Sequence, residues 1–231
     1  MITELCPQVA DSAPGELRSP KLKNLTTVVS LTESAIGGIY GWSDFVDLAK
    51  CTTDVELENR QRDQNPDDAI NIQYTSGTTG FPKGATLSHH NILNNGYFVA
   101  RIMNFTEEDR LVVPVPLYHC FGMVMANLGC LTHGACAIYP SEGFEPEAVL
   151  EAVEKEKATA LFGVPTMFIA ELALPNFPKY DLSTLRTGIM AGAPCPVETM
   201  KQVNDLMNMT EVEIAYGMTE TSPVSFQTRV D

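Results

Sequence analysis

The segment 74–85, Tyr-Thr-Ser-Gly-Thr-Thr-Gly-Phe-Pro-Lys-Gly-Ala, holds four serine and threonine side chains, three glycines and one lysine, directly after the apolar run 69–74. Glycines let the backbone turn and expose its N–H groups, hydroxyls add donors, and lysine adds a positive charge, so such a loop can wrap a polyphosphate. It is not a Walker loop, because the four residues that follow Gly77 lead to Pro82 rather than to a Gly-Lys pair. A flexible linker is the alternative, but Phe81 and Pro82 stiffen the segment. We predict a phosphate-binding loop.

Three further segments carry candidate functional residues. Segment 114–122 displays His119, which taken alone is more often structural than functional. In the Gly-Ala-Pro turn of segment 188–194 the backbone lets a planar base approach closely. In segment 215–222, Tyr216 is a core aromatic or a stacking face, while Thr219 and Glu220 offer a hydroxyl for a phosphate and a carboxylate for Mg²⁺, or form a solvated turn. Together with the loop, these segments predict a nucleotide site.

Short apolar runs alternate with amphipathic segments from residue 69 onward, which predicts an α/β fold with a mostly parallel, buried sheet. We expect ligands beyond the carboxyl ends of its strands, where all four segments fall. Ser88 is a predicted helix cap, and Pro146 and Pro196 suit first-turn positions. The predicted strands are 70–74, 111–115, 135–139, 159–162, 187–190 and 211–215, and the predicted helices are 88–102, 121–132, 145–156, 165–173 and 196–207.

The alternation of apolar runs with amphipathic segments becomes regular only from residue 69 onward. We therefore predict an N-terminal segment with a polar connector over 1–68 and an α/β subdomain over 69–231. The first part contains a β-like run at 26–31 and a helix-like stretch at 42–50. The polar residues 56–68 are interpreted as a solvated loop.

Composition narrows the function classes. A net charge of −14 argues against general binding to nucleic acid or anionic membranes, so a phosphate ligand needs a local cation such as Lys83. The six cysteines form no CxxC pair and are predicted to be reduced, mostly core thiols. No apolar run reaches the roughly 18 residues of a membrane span.

The motif Tyr-Thr-Ser-Gly-Thr-Thr-Gly-Phe-Pro-Lys-Gly, followed about 130 residues later by Tyr-Gly-Met-Thr-Glu, resembles the adenylate-forming superfamily of acyl-CoA synthetases, luciferases and adenylation domains. The resemblance covers residues 69–231 strongly, and the contexts Pro-Leu-Tyr-His-Cys and Thr-Glu-Thr-Ser-Pro-Val are most similar to medium-chain acyl-CoA synthetases of animal mitochondria. It implies an internal part of the large N-terminal domain of that fold, in which the subdomain over 69–231 binds ATP and the acyl group. It also implies a mitochondrial matrix location, with the cytoplasm as the alternative.

This resemblance implies a two-step reaction, in which a carboxylate attacks the α-phosphate of Mg·ATP and coenzyme A then displaces AMP from the acyl-adenylate. The residues implied to wrap the β- and γ-phosphates are Thr75, Ser76, Gly77, Thr78, Thr79, Gly80 and Lys83. Those implied at the adenine and its neighbourhood are Gly192, Ala193, Pro194, Tyr216, which would stack on the base, and Gly217.

The same resemblance implies the groups nearest the reaction. Thr219 would touch the α-phosphate, Glu220 would hold Mg²⁺, and His119 would stand at the mouth of the acyl pocket. With Lys83 these make the candidate catalytic set, because adenylation needs positioning and charge stabilisation more than a strong base.

A fatty acid is the preferred substrate. Residues 114–131 contain no Asp or Glu, whereas an amino-acid substrate needs a carboxylate opposite its ammonium group. The apolar, methionine-rich segment 121–128 is more often core than pocket, but its position after His119 favours an uncharged acyl tail.

The resemblance implies a parent chain of roughly 500 to 600 residues, which is several domain lengths. We therefore expect an internal fragment without the mobile C-terminal lid and its catalytic lysine, with weak Mg·ATP binding and no thioester formation alone. The alternatives are a non-catalytic nucleotide-binding or regulatory product and a different adenylate-former. The expected partners are a fatty acid, ATP and coenzyme A, and the sequence does not indicate an oligomeric state.

Overall fold

The computed structural model describes residues 2–32, 36–76 and 80–229, and it divides the chain into two units, residues 1–64 and 65–231. The first unit has a small apolar core around Cys6, Val9, Leu17 and Ile39. Its elements are α1 (Ile2–Leu5), β1 (Val28–Val29), β2 (Ile39–Tyr40), α2 (Trp42–Asp47) and α3 (Asp54–Arg62), with β1 and β2 paired in parallel.

Helix α3 contradicts the interpretation of residues 56–62 as part of a loop, whereas residues 63–68 form no helix or strand, as predicted. The Thr53 hydroxyl accepts the N–H of Glu56, and the Glu56 carboxylate accepts the N–H of Thr53, which forms a capping box at the start of the helix. The prediction of solvation was right, because every residue of α3 is exposed. Polarity alone indicated exposure, while the cap determines the helix.

The second unit carries the elements that position the site. Its strands are β3 (Ala69–Thr75), β4 (Lys83–Ser88), β5 (Arg110–Val112), β6 (Cys136–Ile138), β7 (Ala160–Gly163), β8 (Thr187–Ala191), β9 (Glu211–Gly217) and β10 (Val224–Gln227). Its helices are α4 (His89–Ile102), a π-helix (Phe121–Leu128), α5 (Gly129–His133), α6 (Pro146–Glu156), α7 (Pro165–Leu172) and α8 (Val197–Met207). Four predicted helices agree to within one residue, and the fifth, 121–132, begins as the π-helix.

Six strands form a sheet within the described residues, in the order β10-β9-β8-β7-β5-β6. All neighbouring pairs are parallel except β9 and β10, so the predicted α/β class is confirmed. Successive side chains of a strand point to opposite faces of the sheet. In β7, Phe162 packs towards α4 and the π-helix, whereas Leu161 packs towards α6, α7 and α8. The sheet is therefore covered by helices on both faces.

The strand preceding the glycine-rich loop lies outside this sheet, which contradicts the expectation from the alternating pattern. Strand β3 pairs with β4 in a separate antiparallel hairpin. Parallel neighbours need a crossover of a dozen or more residues, and the short connection between Thr75 and Lys83 permits only an antiparallel return.

An ion pair between a buried aspartate and a half-buried arginine fixes the amino ends of the central strands. The Arg186 guanidinium, just before β8, donates to both oxygens of Asp109, just before β5, at 2.9 Å, and to Glu211 on β9 at 2.9 Å. The Thr159 hydroxyl, just before β7, donates to Asp109 at 2.7 Å. Burial raises the pKa of Asp109, but hydrogen bonds from Arg186 and Thr159 outweigh this, so its pKa lies below the usual value.

A second buried carboxyl, Glu213 on β9, has only a partial set of partners. Gln227 on β10 donates to one oxygen, and the other has no hydrogen-bond partner. Burial is the main cause that raises the pKa of Glu213 from 4.5 to about 7. The folded chain therefore holds this proton through a pH range in which the unfolded chain releases it.

Replacing Arg186 by methionine should lower the free energy of unfolding by about 3–5 kcal/mol, because it leaves the Asp109 charge buried without its partner. Urea unfolding followed by circular dichroism measures this. The control is Lys157→Met, which removes an exposed ion pair with Asp181 and should cost less than about 1 kcal/mol. Equal losses in the two variants would contradict the role given to the pair of Arg186 and Asp109.

The Glu213→Gln variant should become more stable than the parent as pH rises, because the parent loses stability and the variant does not. The unfolded chain ionises near pH 4.5 and the folded chain near pH 7, so the parent loses stability between these values and the amide does not. The difference should grow to about 3 kcal/mol above pH 7. Urea midpoints at pH 4, 6 and 8 measure it, with Glu107→Gln as the exposed control, and a pH-independent difference would disprove the titration.

Candidate active site

A cavity of about 500 Å³ lies at the carboxyl edge of the sheet, which is the size range of small-molecule sites. Segments far apart in sequence meet there, because the carboxyl ends of parallel strands share one edge. Its lining comprises Thr75, Ser76, Lys83, His119, Cys120, Phe121, Met125, Ala191, Gly192, Ala215, Tyr216, Gly217, Met218, Thr219, Glu220, Pro223 and Val224.

The hairpin β3–β4 brings the two ends of the glycine-rich loop together. Thr75 and Lys83 are cross-strand partners, so the hydroxyl and the ammonium group leave adjacent positions at the cavity. Ser76 also lines the cavity, whereas Gly80, which has a φ of +103°, does not. The predicted loop residues Gly77, Thr78 and Thr79 lie outside the described residues.

His119 has one ring nitrogen occupied and the other available. The N–H of Phe121 donates to its Nδ1 over 3.1 Å, so the neutral ring carries its proton on Nε2. Burial lowers the pKa of His119, which favours this neutral form. His119 can therefore offer a neutral N–H donor to an oxygen atom in the cavity.

Thr219 and Glu220 lie on a short 3₁₀ turn, Thr219–Thr221, whose shape is fixed locally. The Thr221 hydroxyl oxygen lies 2.9 Å from the Met218 carbonyl oxygen and 2.6 Å from that of Pro223, and it accepts the N–H of Met218. Thr219 is buried, with its hydroxyl 3.7 Å from Sγ of Cys120, and Glu220 is exposed. The turn thus places a hydroxyl and a carboxylate side by side.

Gly217 is required by packing as well as by any ligand. A Cβ atom there would lie 1.9 Å from the carbonyl oxygen of Pro223, so only glycine lets β10 return beside β9. The preceding residue, Tyr216, is 66% exposed, and its ring centroid lies 6.5 Å from that of Phe226. A ring this exposed leaves a face on which a planar base can stack.

The glycine turn after β8 contributes one of its three predicted residues to the cavity. Gly192 lines the cavity and has a φ of +84°, a conformation that favours glycine. Ala193 and Pro194 are exposed and do not line it. Their predicted contact with adenine stays a prediction.

The remaining wall is apolar, and most of its members were not singled out from the sequence. Phe121 and Met125 come from the segment that was expected to face an acyl tail. Ala191, Ala215 and Val224 were missed, although the two alanines are the strand residues immediately before Gly192 and Tyr216. Cys120 was also missed as a lining residue, and burial raises the pKa of its thiol.

Glu220 is the single carboxylate in the described lining, and no group of three or more metal-binding side chains occurs among residues 2–32, 36–76 and 80–229. This donor set fits Mg²⁺ that arrives with a polyphosphate, because Mg²⁺ is usually held by one or two carboxylates together with substrate oxygens and water. Glu220 is the residue that would hold it.

A protein-family model described as "AMP-binding enzyme" matches residues 7–231. The chain belongs to the AMP-binding enzyme family. This confirms the resemblance derived from the two motifs, and it agrees with a cavity that has polar and apolar walls.

Two curated relatives and one solved structure refine this assignment. The chain is 51% identical over its full length to the putative acyl-CoA synthetase YngI of Bacillus subtilis, and 44% identical over 98% of its length to the mitochondrial medium-chain acyl-CoA ligase ACSF2 of Danio rerio. It spans 42% and 38% of the lengths of these relatives. The anthranilate CoA ligase AuaEII, solved with anthranoyl-AMP, matches 72% of this chain and 32% of its own length, with a TM-score of 0.66 and 25% identity.

The mitochondrial matrix and the cytoplasm, the two predicted locations, both stay predictions after these comparisons. The Danio rerio relative is named as mitochondrial, whereas the more similar relative comes from a bacterium. None of the helices in the described part of the chain is long and apolar enough to cross a membrane.

Lys83→Met should weaken ATP binding about tenfold and leave adenosine binding unchanged, because the ammonium group is predicted to contact the phosphates, which adenosine lacks. Calorimetric titration of both ligands in the presence of Mg²⁺ measures this. The control is Lys155→Met on α6, an exposed lysine outside the cavity. Equal weakening of ATP and adenosine would contradict a phosphate contact.

Proposed function

We propose that this chain forms the ATP- and acyl-binding part of an acyl-CoA ligase that activates a fatty acid, of medium chain length, as its adenylate. The single observation that carries the proposal is the composition of the cavity. The lining combines polar side chains, among them Lys83, Thr75 and Thr219, with the apolar side chains of Phe121 and Met125. A molecule with a charged phosphate part and an apolar tail matches both.

In the first step, a carboxylate oxygen attacks the α-phosphorus of ATP, and the bond to pyrophosphate breaks. Lys83 with Thr75 and Ser76 would offset the charge on the leaving phosphates. The Nε2–H of His119 would donate to an oxygen at the reacting centre, and Thr219 would contact the α-phosphate. Mg²⁺ held by Glu220 would supply charge stabilisation at the phosphate oxygens. These roles need positioned donors and no strong base.

In the second step, the thiol sulfur of coenzyme A attacks the acyl carbon, and the bond to AMP breaks. We propose that the 231 residues bind Mg·ATP weakly and do not complete this step by themselves. The exposure of Tyr216 and Lys83 supports this, because efficient acyl transfer requires the cavity to exclude water.

A fatty acid is preferred over an amino acid because the described lining contains no carboxylate besides Glu220, which lies on the same turn as Thr219. An α-ammonium group would have to be buried near Phe121 and Met125 without a counter-ion, which is costly. The medium chain length rests on the name of the Danio rerio relative. These features also disfavour an amino-acid-adenylating function.

A stable acyl-adenylate mimic tests the proposal without requiring turnover. We expect octanoyl sulfamoyl adenosine to bind at least about tenfold more tightly than phenylalanyl sulfamoyl adenosine, because only the second carries an ammonium group. Competition titrations of the two compounds measure this. Equal affinity, or preference for the aminoacyl compound, would overturn the fatty-acid assignment, and failure of both to bind would overturn the nucleotide site.

His119→Phe should weaken octanoyl sulfamoyl adenosine about tenfold or more, since it removes the Nε2–H donor and keeps a planar ring. Binding to the parent should stay constant as pH falls through the ordinary histidine range, because the Nε2–H is present in both the neutral and the protonated ring and burial lowers the pKa of His119. The matched control is His90→Phe, whose histidine is exposed beside Asp67 and does not line the cavity. Unchanged affinity in His119→Phe would refute the donor role.

A further inference from the structure

Helix α4 contacts three of the four segments that build the cavity. It begins directly after β4, so it continues from the hairpin that carries Lys83, and Ser88 caps it by accepting the N–H of Asn91. Ile92 packs in one cluster with Cys120, which follows His119, and with Val124 of the π-helix. Gly96 fits against the π-helix so closely that a Cβ atom would lie 2.9 Å from the Val124 carbonyl oxygen.

The third contact of α4 is made by Asn95 and reaches the strand after the Thr219–Glu220 turn. The Asn95 amide donates to the carbonyl oxygen of Val224 over 2.9 Å, and its carbonyl oxygen accepts the N–H of Val224 over 3.1 Å. One helical turn after Asn95, the backbone carbonyl of Val99 accepts a hydrogen bond from the side chain of Gln227. Asn95 therefore satisfies both backbone groups of a residue that is 129 positions away in sequence.

The position of Val224 makes this contact consequential. Val224 lines the cavity and pairs with Gly217 of β9 across the return, so the 218–223 turn lies between Gly217 and Val224. On its other edge, Val224 meets Asn95. The turn that presents Thr219 and Glu220 is thus held from two sides, by β9 and by α4.

We infer that Asn95 is a positioning residue, which fixes the Thr219–Glu220 turn relative to the hairpin that carries Lys83. Asn95 does not line the cavity, so it acts through Val224. A primary amide presents a donor and an acceptor side by side, as an adjacent strand would, whereas aspartate lacks the donor and leucine lacks both. The inference rests on the proposed function only in the choice of Mg·ATP as the ligand whose binding Asn95 should affect.

The experiment compares Asn95→Leu with two controls in the full 231-residue chain. Asn94→Leu makes the same chemical change at the preceding residue, whose exposed side chain donates to the carbonyl oxygen of His90 in its own helix. Val153→Ala weakens the core on the other face of the sheet, where Val153 is fully buried, and so reports the effect of lost stability alone.

Hydrogen exchange at the amides of Met218, Thr221 and Val224 is the first measurement. Asn95→Leu should accelerate exchange at these amides at least about tenfold, because two hydrogen bonds are lost, while Asn94→Leu should not. Acceleration spread evenly over the whole unit, as Val153→Ala should give, would overturn the positioning role. Unchanged exchange would overturn the contact itself.

The affinity for Mg·ATP is the second measurement. Asn95→Leu should weaken it about tenfold, and Val153→Ala should leave it unchanged at a temperature where both variants are folded. Equal weakening in these two variants, or none in Asn95→Leu, would overturn the link between Asn95 and the site. If the parent does not bind Mg·ATP, the proposed function fails, and the exchange measurement still decides whether Asn95 holds the turn.

Discussion

The ion pair between Arg186 and Asp109 is the interaction on which the arrangement of the sheet depends. It joins residues that immediately precede β5 and β8 and extends to β9 through Glu211. The strands run in parallel from these anchored amino ends, so fixing them also fixes where their carboxyl ends finish. The site is assembled at that opposite edge, so its geometry depends on Arg186, Asp109 and Glu211, which do not line the cavity.

Different parts of the cavity are supported in different ways. The turn with Thr219 and the glycine after β8 follow strands of the central sheet, whose core residues are packed on both faces. The hairpin with Lys83 stands outside that sheet and is joined to it through α4. Rigid strand ends are suited to orienting a reacting centre, whereas a separate hairpin is suited to enclosing a mobile polyphosphate.

Local signals predicted much of this fold, and long-range packing accounts for most of the errors. Ser88 before α4 and Pro146 in the first turn of α6 mark helix starts that the structure contains, whereas Pro196 is the residue just before α8 and not in its first turn. Strand β10 was not predicted, because Ser225 and Phe226 are exposed and the strand exists only through pairing with β9 and the contact with α4. The rule that ligands lie beyond strand ends correctly predicted that residues from all four motif segments meet in one cavity. It could not predict Cys120, whose place depends on how the chain packs after β5.

The π-helix Phe121–Leu128 has a consequence for how the apolar wall can diversify. In a π-helix each N–H bonds one residue further back than in an α-helix, so the segment holds more residues per turn. Loss of one residue could be absorbed by reverting to α-helical bonding, with the sheet and α4 left in place. Phe121 and Met125 would then turn relative to the cavity. Single-residue insertions and deletions in this segment thus offer a route by which related proteins can reshape an acyl pocket without altering the surrounding fold.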